Sequence, residues 1–372
     1  MRSTDASRWC CREAGYALTI EIRLDLERPG FHLTVDTEVP GRGVTALFGR
    51  SGCGKTTLLR CVAGLERSAL GRLVINGETW QDRLRFVPSH QRSVGYVFQE
   101  GQLFSHLSVQ GNLLYGYRRI PVPERSVQPE DVVRLLGLES LLPRRVTEIS
   151  GGQRQRVAMG RALLTSPRVL LMDEPLAALD AMSKAEILPY LERLHDELSI
   201  PVLYVSHAID EVIRMADHML LMEDGAVRAE GALHDLITRG DLPLAHAEGA
   251  AAVIEARVSG HDDRHHLTEL EFQGARLLVS RDHLLQSARV RVRIMARDVA
   301  INLTRPRDSS VLNCVPARVV DVSDDPHPGH VLVRLAVGDA TLLSRITRRS
   351  LEQLVLQPGT EVYALVKSVA IT

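Results

Sequence analysis

Val44-Thr-Ala-Leu-Phe48 leads directly into Gly49-Arg50-Ser51-Gly52-Cys53-Gly54-Lys55-Thr56, followed by Thr57 and the largely apolar stretch Leu58 to Ala63. The first five residues suit a buried strand, and the last stretch reads as a helix. Between them stands G-x-x-x-x-G-K-[ST], in the strand-to-helix context that gives this spacing its meaning. Glycines let the backbone close around an anion, and successive N–H groups at a helix N-terminus point at it. Gly49, Arg50, Ser51, Gly52, Cys53, Gly54, Lys55, Thr56 and Thr57 are therefore a candidate phosphate loop. In it Lys55 would neutralise the terminal phosphates and the Thr56 hydroxyl would sit on Mg²⁺.

Two further stretches extend this pattern. Val169-Leu-Leu-Met-Asp173-Glu174-Pro175 is a second buried strand that ends in acids. Asp173 suits Mg²⁺ held through water beside the phosphate loop, and Glu174 can polarise an attacking water. Ile149-Ser150-Gly151-Gly152-Gln153 opens a predicted helix over Arg154 to Leu164. Ser150 is a natural N-cap there, and the free N–H groups make a second anion-binding helix end.

In their order along the chain, with the loop first, then Ile149–Gln153 and then the acidic strand end, the three motifs resemble the ATP-binding-cassette family, whose signature Leu-Ser-Gly-Gly-Gln reads here with Ile149 in place of Leu. The resemblance covers about residues 17–240. It implies that Gln99, in Val97-Phe-Gln-Glu100, is the Q-loop glutamine that contacts Mg²⁺ or the attacking water. It also implies that Asp180, in Leu176-Ala-Ala-Leu-Asp180, belongs to the D-loop, and that His207 is the switch histidine touching the γ-phosphate. The implied assembly is a homodimer. Ser150, Gly151, Gly152 and Gln153 of one subunit cap the γ-phosphate of the ATP that the other subunit's phosphate loop holds with Mg²⁺, and Glu174, His207 and Gln99 form the catalytic set. The family stacks adenine on an aromatic residue ahead of the loop. Here that neighbourhood reads Leu26-Glu-Arg-Pro-Gly30, with Phe31 next to it, and the choice between ATP and GTP stays open.

Outward from these motifs, Leu18, Ile20, Ile22 and Leu24 alternate with other residues, and His32 to Val39 repeats the alternation after Pro29-Gly30. That predicts an antiparallel hairpin. Residues 1–16 read as a flexible lead without the apolar core of a secretory signal. Strands that alternate with helices predict a parallel α/β sheet, with a helical subdomain at about 100–160. Leu103-Phe-Ser-His-Leu-Ser-Val109 resembles the surface on which importers of the family receive a permease.

Lys plus Arg is 45 against 46 for Asp plus Glu, which removes the electrostatic case for a general nucleic-acid binder. No apolar run approaches the ~18–20 residues that span a bilayer. Five cysteines (Cys10, Cys11, Cys53, Cys61, Cys314) lack metal-ligand spacing and are expected to be reduced thiols in a cytosolic protein.

Residues 241–249 read as a linker and 250–372 as a small all-β accessory domain. Ala256-Arg-Val258 is echoed by Ala317-Arg-Val319, and Arg297-Asp-Val-Ala-Ile301 by Lys367-Ser-Val-Ala-Ile371, which predicts a duplicated, OB-like unit. About residues 308–372 resemble the Mop/TOBE module through Ser310-Val-Leu-Asn313, Ile346-Thr-Arg-Arg-Ser350 and Val366-Lys-Ser-Val-Ala-Ile371. That resemblance implies a tetrahedral oxyanion ligand, molybdate, with Ser310, Thr347, Lys367 and Ser368 as candidate donors.

The expected whole is an α/β P-loop NTPase domain of ABC type with a helical subdomain, followed by the duplicated β domain. The expected function is ATP hydrolysis driving molybdate import at the cytoplasmic face of the cell membrane. Its expected partners are two copies of a transmembrane permease and, indirectly, a periplasmic or extracellular molybdate-binding protein. Sulfate/thiosulfate, iron, a sugar or a polyamine stand as alternative cargoes. A soluble molybdate-binding regulatory ATPase stands as an alternative of another class.

Overall fold

The computed structural model describes residues 18–68, 70–246, 249–280 and 284–371; the expected lead over 1–16, with Cys10 and Cys11, lies outside them. The chain divides into two compact units, Met1–Gly231 and Ala232–Thr372.

The first unit opens with β1 (Thr19–Arg28) and β2 (Phe31–Pro40), paired in one register from Thr19↔Pro40 to Arg28↔Phe31. Ile20, Ile22 and Leu24 are buried while Arg23 and Asp25 are exposed, the two-residue period of a half-buried strand. Then follow β3 (Val44–Phe48), α1 (Lys55–Val62), β4 (Leu70–Ile75), β5 (Glu78–Gln81) and β6 (Val94–Val97). Three helices, α2 (Val109–Tyr117), α3 (Pro129–Leu135) and α4 (Gly151–Leu163), stand between β6 and β7 (Val169–Asp173). The unit continues with α5 (Ala181–Glu197), β8 (Val202–Ser206), α6 (Ile209–Met215), β9 (His218–Glu223) and β10 (Ala226–Ala232).

These strands form one sheet in the order β5-β4-β1-β2-β10-β9-β3-β8-β7-β6. From β9 to β6 the neighbours pair in parallel. Parallel neighbours need crossover connections, which cover the sheet's faces and account for the nearly unbroken burial of β3, β7 and β8. The consequence for function lies at the carboxyl edge. The ends of β3, β8, β7 and β6 stand side by side and carry the phosphate loop, His207, Asp173 with Glu174, and Gln99. Such an edge is where open α/β sheets place their ligands.

The second unit begins with α7 (Leu233–Leu236) and α8 (Pro243–His246). Within the stretch read as a linker, α8 buries Leu244 and Ala245. Next come β11 (Ala251–Asp262), β12 (Leu267–Phe272), β13 (Ala275–Ser280), β14 (Arg289–Met295) and β15 (Val299–Asn302). They are followed by β16 (Asn313–Asp324), β17 (His330–Val337), β18 (Ala340–Thr347), α9 (Arg348–Leu354), β19 (Glu361–Val366) and β20 (Ala370–Ile371).

Two five-stranded sheets result, β13-β12-β11-β14-β20 and β15-β19-β16-β17-β18. The duplication is visible in their irregularities. β11 and β16 both have 12 residues, and each breaks register directly after the echoed Ala-Arg-Val, between Val258 and Gly260 in one and between Val319 and Asp321 in the other. Bulges at matching positions are built features of a repeated unit.

The copies also exchange their last strands. β15, which follows the first copy, pairs with β19 (Val299↔Val366), while β20, which follows the second, pairs with β14 (Val292↔Ile371). A single apolar core accordingly holds Val292, Ile294 and Val299 together with Val315, Val362 and Val366. The Asn313 amide bridges the copies: it accepts from Leu278 N at 2.6 Å and donates to Leu278 O at 2.9 Å, as a neighbouring strand would.

Candidate active site

The phosphate loop owes its path to glycine. Gly49 (φ 156°) leaves β3 so close to the neighbouring chain that a Cβ would stand 2.2 Å from the Met222 carbonyl oxygen. Gly54 adopts φ 105° as N-cap of α1, and a Cβ there would meet Phe31 Cζ at 2.8 Å. Only glycine fits both positions. Lys55 is 5% exposed and donates from Nζ to Gly49 O (2.8 Å) and Arg50 O (2.9 Å), so its ammonium is held inside the loop.

The acids reach this loop from β7. Thr56 Oγ1 donates to Asp173 Oδ1 at 2.9 Å, and the Tyr96 hydroxyl donates to Asp173 Oδ2 at 3.1 Å. Burial, reinforced by the Asp173 carboxylate, raises the pKa of the Tyr96 phenol, which therefore stays a neutral donor. Glu174 lies one residue further on, with the left-handed φ of 46° and its N–H on Val205 O at 3.1 Å. This turn aims its carboxylate at His207, whose Nδ1 lies 3.2 Å from Glu174 Oε2. Positive φ in a non-glycine residue costs of order 1 kcal/mol or more and collects at functional sites.

A cleft of about 390 Å³ is lined by Arg28, Pro29, Phe31, Ser51, Gly52, Gly54, Lys55, Thr56, Thr57 and Glu174. It thus joins the phosphate loop and Glu174 to the tip of the β1–β2 hairpin. Oxygen donors at Thr56 and Asp173, within hydrogen-bond distance of each other, fit a hard divalent cation such as Mg²⁺. Cys53 is not among the lining residues. It is 5% exposed, belongs to the apolar core, and its Sγ lies 3.8 Å from Lys55 Nζ.

The remaining candidates stand outside the cleft. Gln99 is exposed beyond β6. Asp180 caps α5, accepting from Ser183 N (3.0 Å) and Ser183 Oγ (2.9 Å), and these bonds hold its carboxyl below the usual range. Ser150 caps α4 through a reciprocal pair, with Gln153 N on Ser150 Oγ (3.2 Å) and Ser150 N on Gln153 Oε1 (3.0 Å). Gly151 and Gly152 form the first turn of that helix. The surface segment Leu103–Val109 is pinned by buried Asn112, which accepts from Phe104 N and donates to Phe104 O and Ser108 O. Phe104 packs against Tyr115 with the rings tilted by 44° and their centroids 4.3 Å apart.

In the second unit, Thr347 is engaged as the cap of α9, accepting from Ser350 N at 3.1 Å. Ser310, Thr347, Lys367 and Ser368 are all exposed, and no hydrogen bond joins two of them among the described residues. Sequence reasoning found no sign of Tyr96; it placed Arg28, Pro29 and Phe31 in the neighbourhood expected for adenine without deciding which of them serves. The signal for the last three was their position at the hairpin turn, which only the folded sheet brings to the loop.

The fold and this edge of loop, acids and histidine define a P-loop ATPase of the ABC transporter class. The ABC transporter family profile matches residues 34–177 and the TOBE domain profile residues 309–372. CbiO1 of Clostridium perfringens, described as part of the ABC transporter complex cbiONQ, superposes with a TM-score of 0.53 at 27% identity, over 60% of this chain and 92% of its own. The "Molybdenum import ATP-binding protein ModC" of Thiobacillus denitrificans is 56% identical over 95% of this chain and 97% of its own length. ModC 1 of Azotobacter vinelandii is 55% identical over 95% and 98%, and ModC of Pseudomonas aeruginosa 53% identical over 95% and 99%. The chain belongs to this ModC family of molybdenum import ATP-binding proteins. Among its described residues no helix is long and apolar enough to cross a membrane.

Proposed function

We propose that this chain powers molybdate uptake as the ATP-hydrolysing subunit of an importer, bound to a membrane permease at the cytoplasmic face. The observation that carries the cargo is likeness of 51–56% across both units, not the ATPase unit alone, to proteins named for molybdenum import.

The chemistry follows from the carboxyl edge. Backbone N–H groups of Gly52 to Thr57 and the Lys55 ammonium bind the phosphates of ATP. Thr56 and Asp173, with Gln99, hold Mg²⁺, which when bound neutralises charge on the phosphate oxygens. Glu174 accepts a proton from the attacking water, and His207, beside it, contacts the γ-phosphate. Phe31, at the hairpin tip in the cleft, offers the face on which adenine rests. Ser150 to Gln153 of a second copy close the site, since a capped helix end with free N–H groups favours anions. Closure of the homodimer is passed to the permease through the segment pinned by Asn112, and a periplasmic or extracellular binding protein delivers the anion to that permease. Ser310, Thr347, Lys367 and Ser368 offer molybdate hydroxyl and ammonium donors in the second unit.

A strain deleted for this gene, grown on limiting molybdate, tests the cargo. Loss of molybdoenzyme activity, restored by the wild-type gene but not by Lys55→Ala, is expected. Normal activity in the deletion strain rejects molybdate in favour of another cargo. Calorimetry of the full chain with molybdate and with sulfate tests the accessory site, and heat from neither would remove it.

A further inference from the structure

Behind His207 lies a carboxylate that the proposed mechanism does not use. Glu211, in the first turn of α6, is 7% exposed. It receives three donors: Lys184 Nζ at 2.9 Å on Oε1, and Ser206 Oγ (2.8 Å) and the Tyr204 hydroxyl (3.2 Å) on Oε2. A buried carboxylate with a full set of donors is a rigid anchor, because removing any partner leaves a charge or dipole unpaired.

Each donor leads to a functional segment. Ser206 ends β8, and its Oγ also accepts from Ala208 N at 3.0 Å, so a donor and an acceptor fix the hydroxyl on both sides of His207. Lys184 lies one turn into α5, and its N–H bonds to the carbonyl oxygen of Asp180, the residue that caps that helix. Tyr204 is fully buried, and burial together with Glu211 raises its pKa, which keeps its O–H a donor.

We infer that Glu211 is a positioning residue that ties the His207 turn to the Asp180 end of α5, so that His207 is aimed at Glu174 only while both segments are seated. The inference rests on the roles given above to His207 and Glu174. Glutamine at 211 keeps the volume and one acceptor but turns a donor toward Lys184, which uncouples α5 while sparing the fold.

The test is steady-state and single-turnover ATP hydrolysis by the full chain carrying Glu211→Gln, His207→Ala or both. Glu211→Gln is expected to lower kcat about tenfold or more with the KM for ATP within about twofold, and to add less than about twofold to His207→Ala. A merely structural role would lower the melting temperature and multiply the His207→Ala defect by the full single-variant factor. Either an unchanged kcat or that multiplicative behaviour overturns the inference. Should Glu211→Gln fail to fold, Lys184→Met removes only the α5 arm, and the same KM-against-kcat split is expected from it; no change in kcat there also counts against the inference. If His207→Ala itself leaves kcat intact, the assignment of His207 fails instead, and the two failures are told apart.

Discussion

Thr56 and Asp173 are hydrogen-bonded at 2.9 Å although 117 residues separate them, one at the start of the loop helix and the other at the end of β7. The strand order explains the meeting: β8 lies between β3 and β7, and all three end on the same edge. Asp173 also accepts from Tyr96, so its two oxygens are held in place from two sides.

The first prediction concerns this pair. Asp173→Asn keeps an acceptor for Thr56 but removes the charge needed by a divalent cation. The Mg²⁺ concentration for half-maximal ATPase activity is expected to rise about 10- to 100-fold, with little change in melting temperature. A magnesium titration of both proteins checks this, and coincident curves would exclude Asp173 from the cation site.

Glu174→Gln separates binding from chemistry. The backbone turn at Glu174 and its N–H bond to Val205 O do not depend on the side chain, so ATP binding should persist. Loss of the proton acceptor should lower turnover by about 10²–10⁴. The dimer then accumulates with nucleotide bound, visible by size-exclusion chromatography in MgATP. Turnover equal to wild type would remove Glu174 from its role.

How far this site could be read in advance depended on whether its parts are contiguous. The phosphate loop, the acidic strand end and the Ser150 cap each carry their chemistry within a few consecutive residues, and local periodicity framed them. Tyr96 and the Arg28–Phe31 hairpin tip act through tertiary placement: nothing in Val94-Gly-Tyr-Val97 announces that its hydroxyl meets Asp173. Glu211 likewise reads as an ordinary acid in a first helical turn until Lys184, Tyr204 and Ser206 converge on it. In the second unit, sequence echoes announced the duplication. The strand exchange was not legible, because pairing partners across two similar sheets are chosen by the shared core rather than by local pattern.

Cysteine reactivity gives a third prediction. Cys61 is 1% exposed, and burial pushes its thiol up to about 11, which makes it inert. Cys53 is buried against the inner side of the phosphate loop, where an added group would displace Gly49 and Lys55. Slow inactivation by N-ethylmaleimide is expected, retarded by MgATP and abolished in Cys53→Ala. Inactivation that ignores nucleotide, or persists in that variant, would point to a different thiol.

The last prediction addresses the strand exchange. β20 contributes only two residues, yet Ile371 pairs with Val292 and packs on the core shared by both copies. Ile371→Asp places a charge at that seam and forfeits the apolar burial of a partly buried side chain, a loss of about 1–3 kcal/mol. Because the core is common to both sheets, the damage should spread beyond the edge strand: hydrogen exchange should accelerate in β14 and in its neighbour β11, not only near residue 371. The reciprocal change Val299→Asp, on a residue 2% exposed and paired with Val366, should cost more and loosen β19 and β16. Basal ATP hydrolysis, which belongs to the other unit, should survive the Ile371 change within about twofold. Faster exchange confined to β20 would mean that each copy stands on its own and that the exchanged strands are ornaments of the fold rather than its closure.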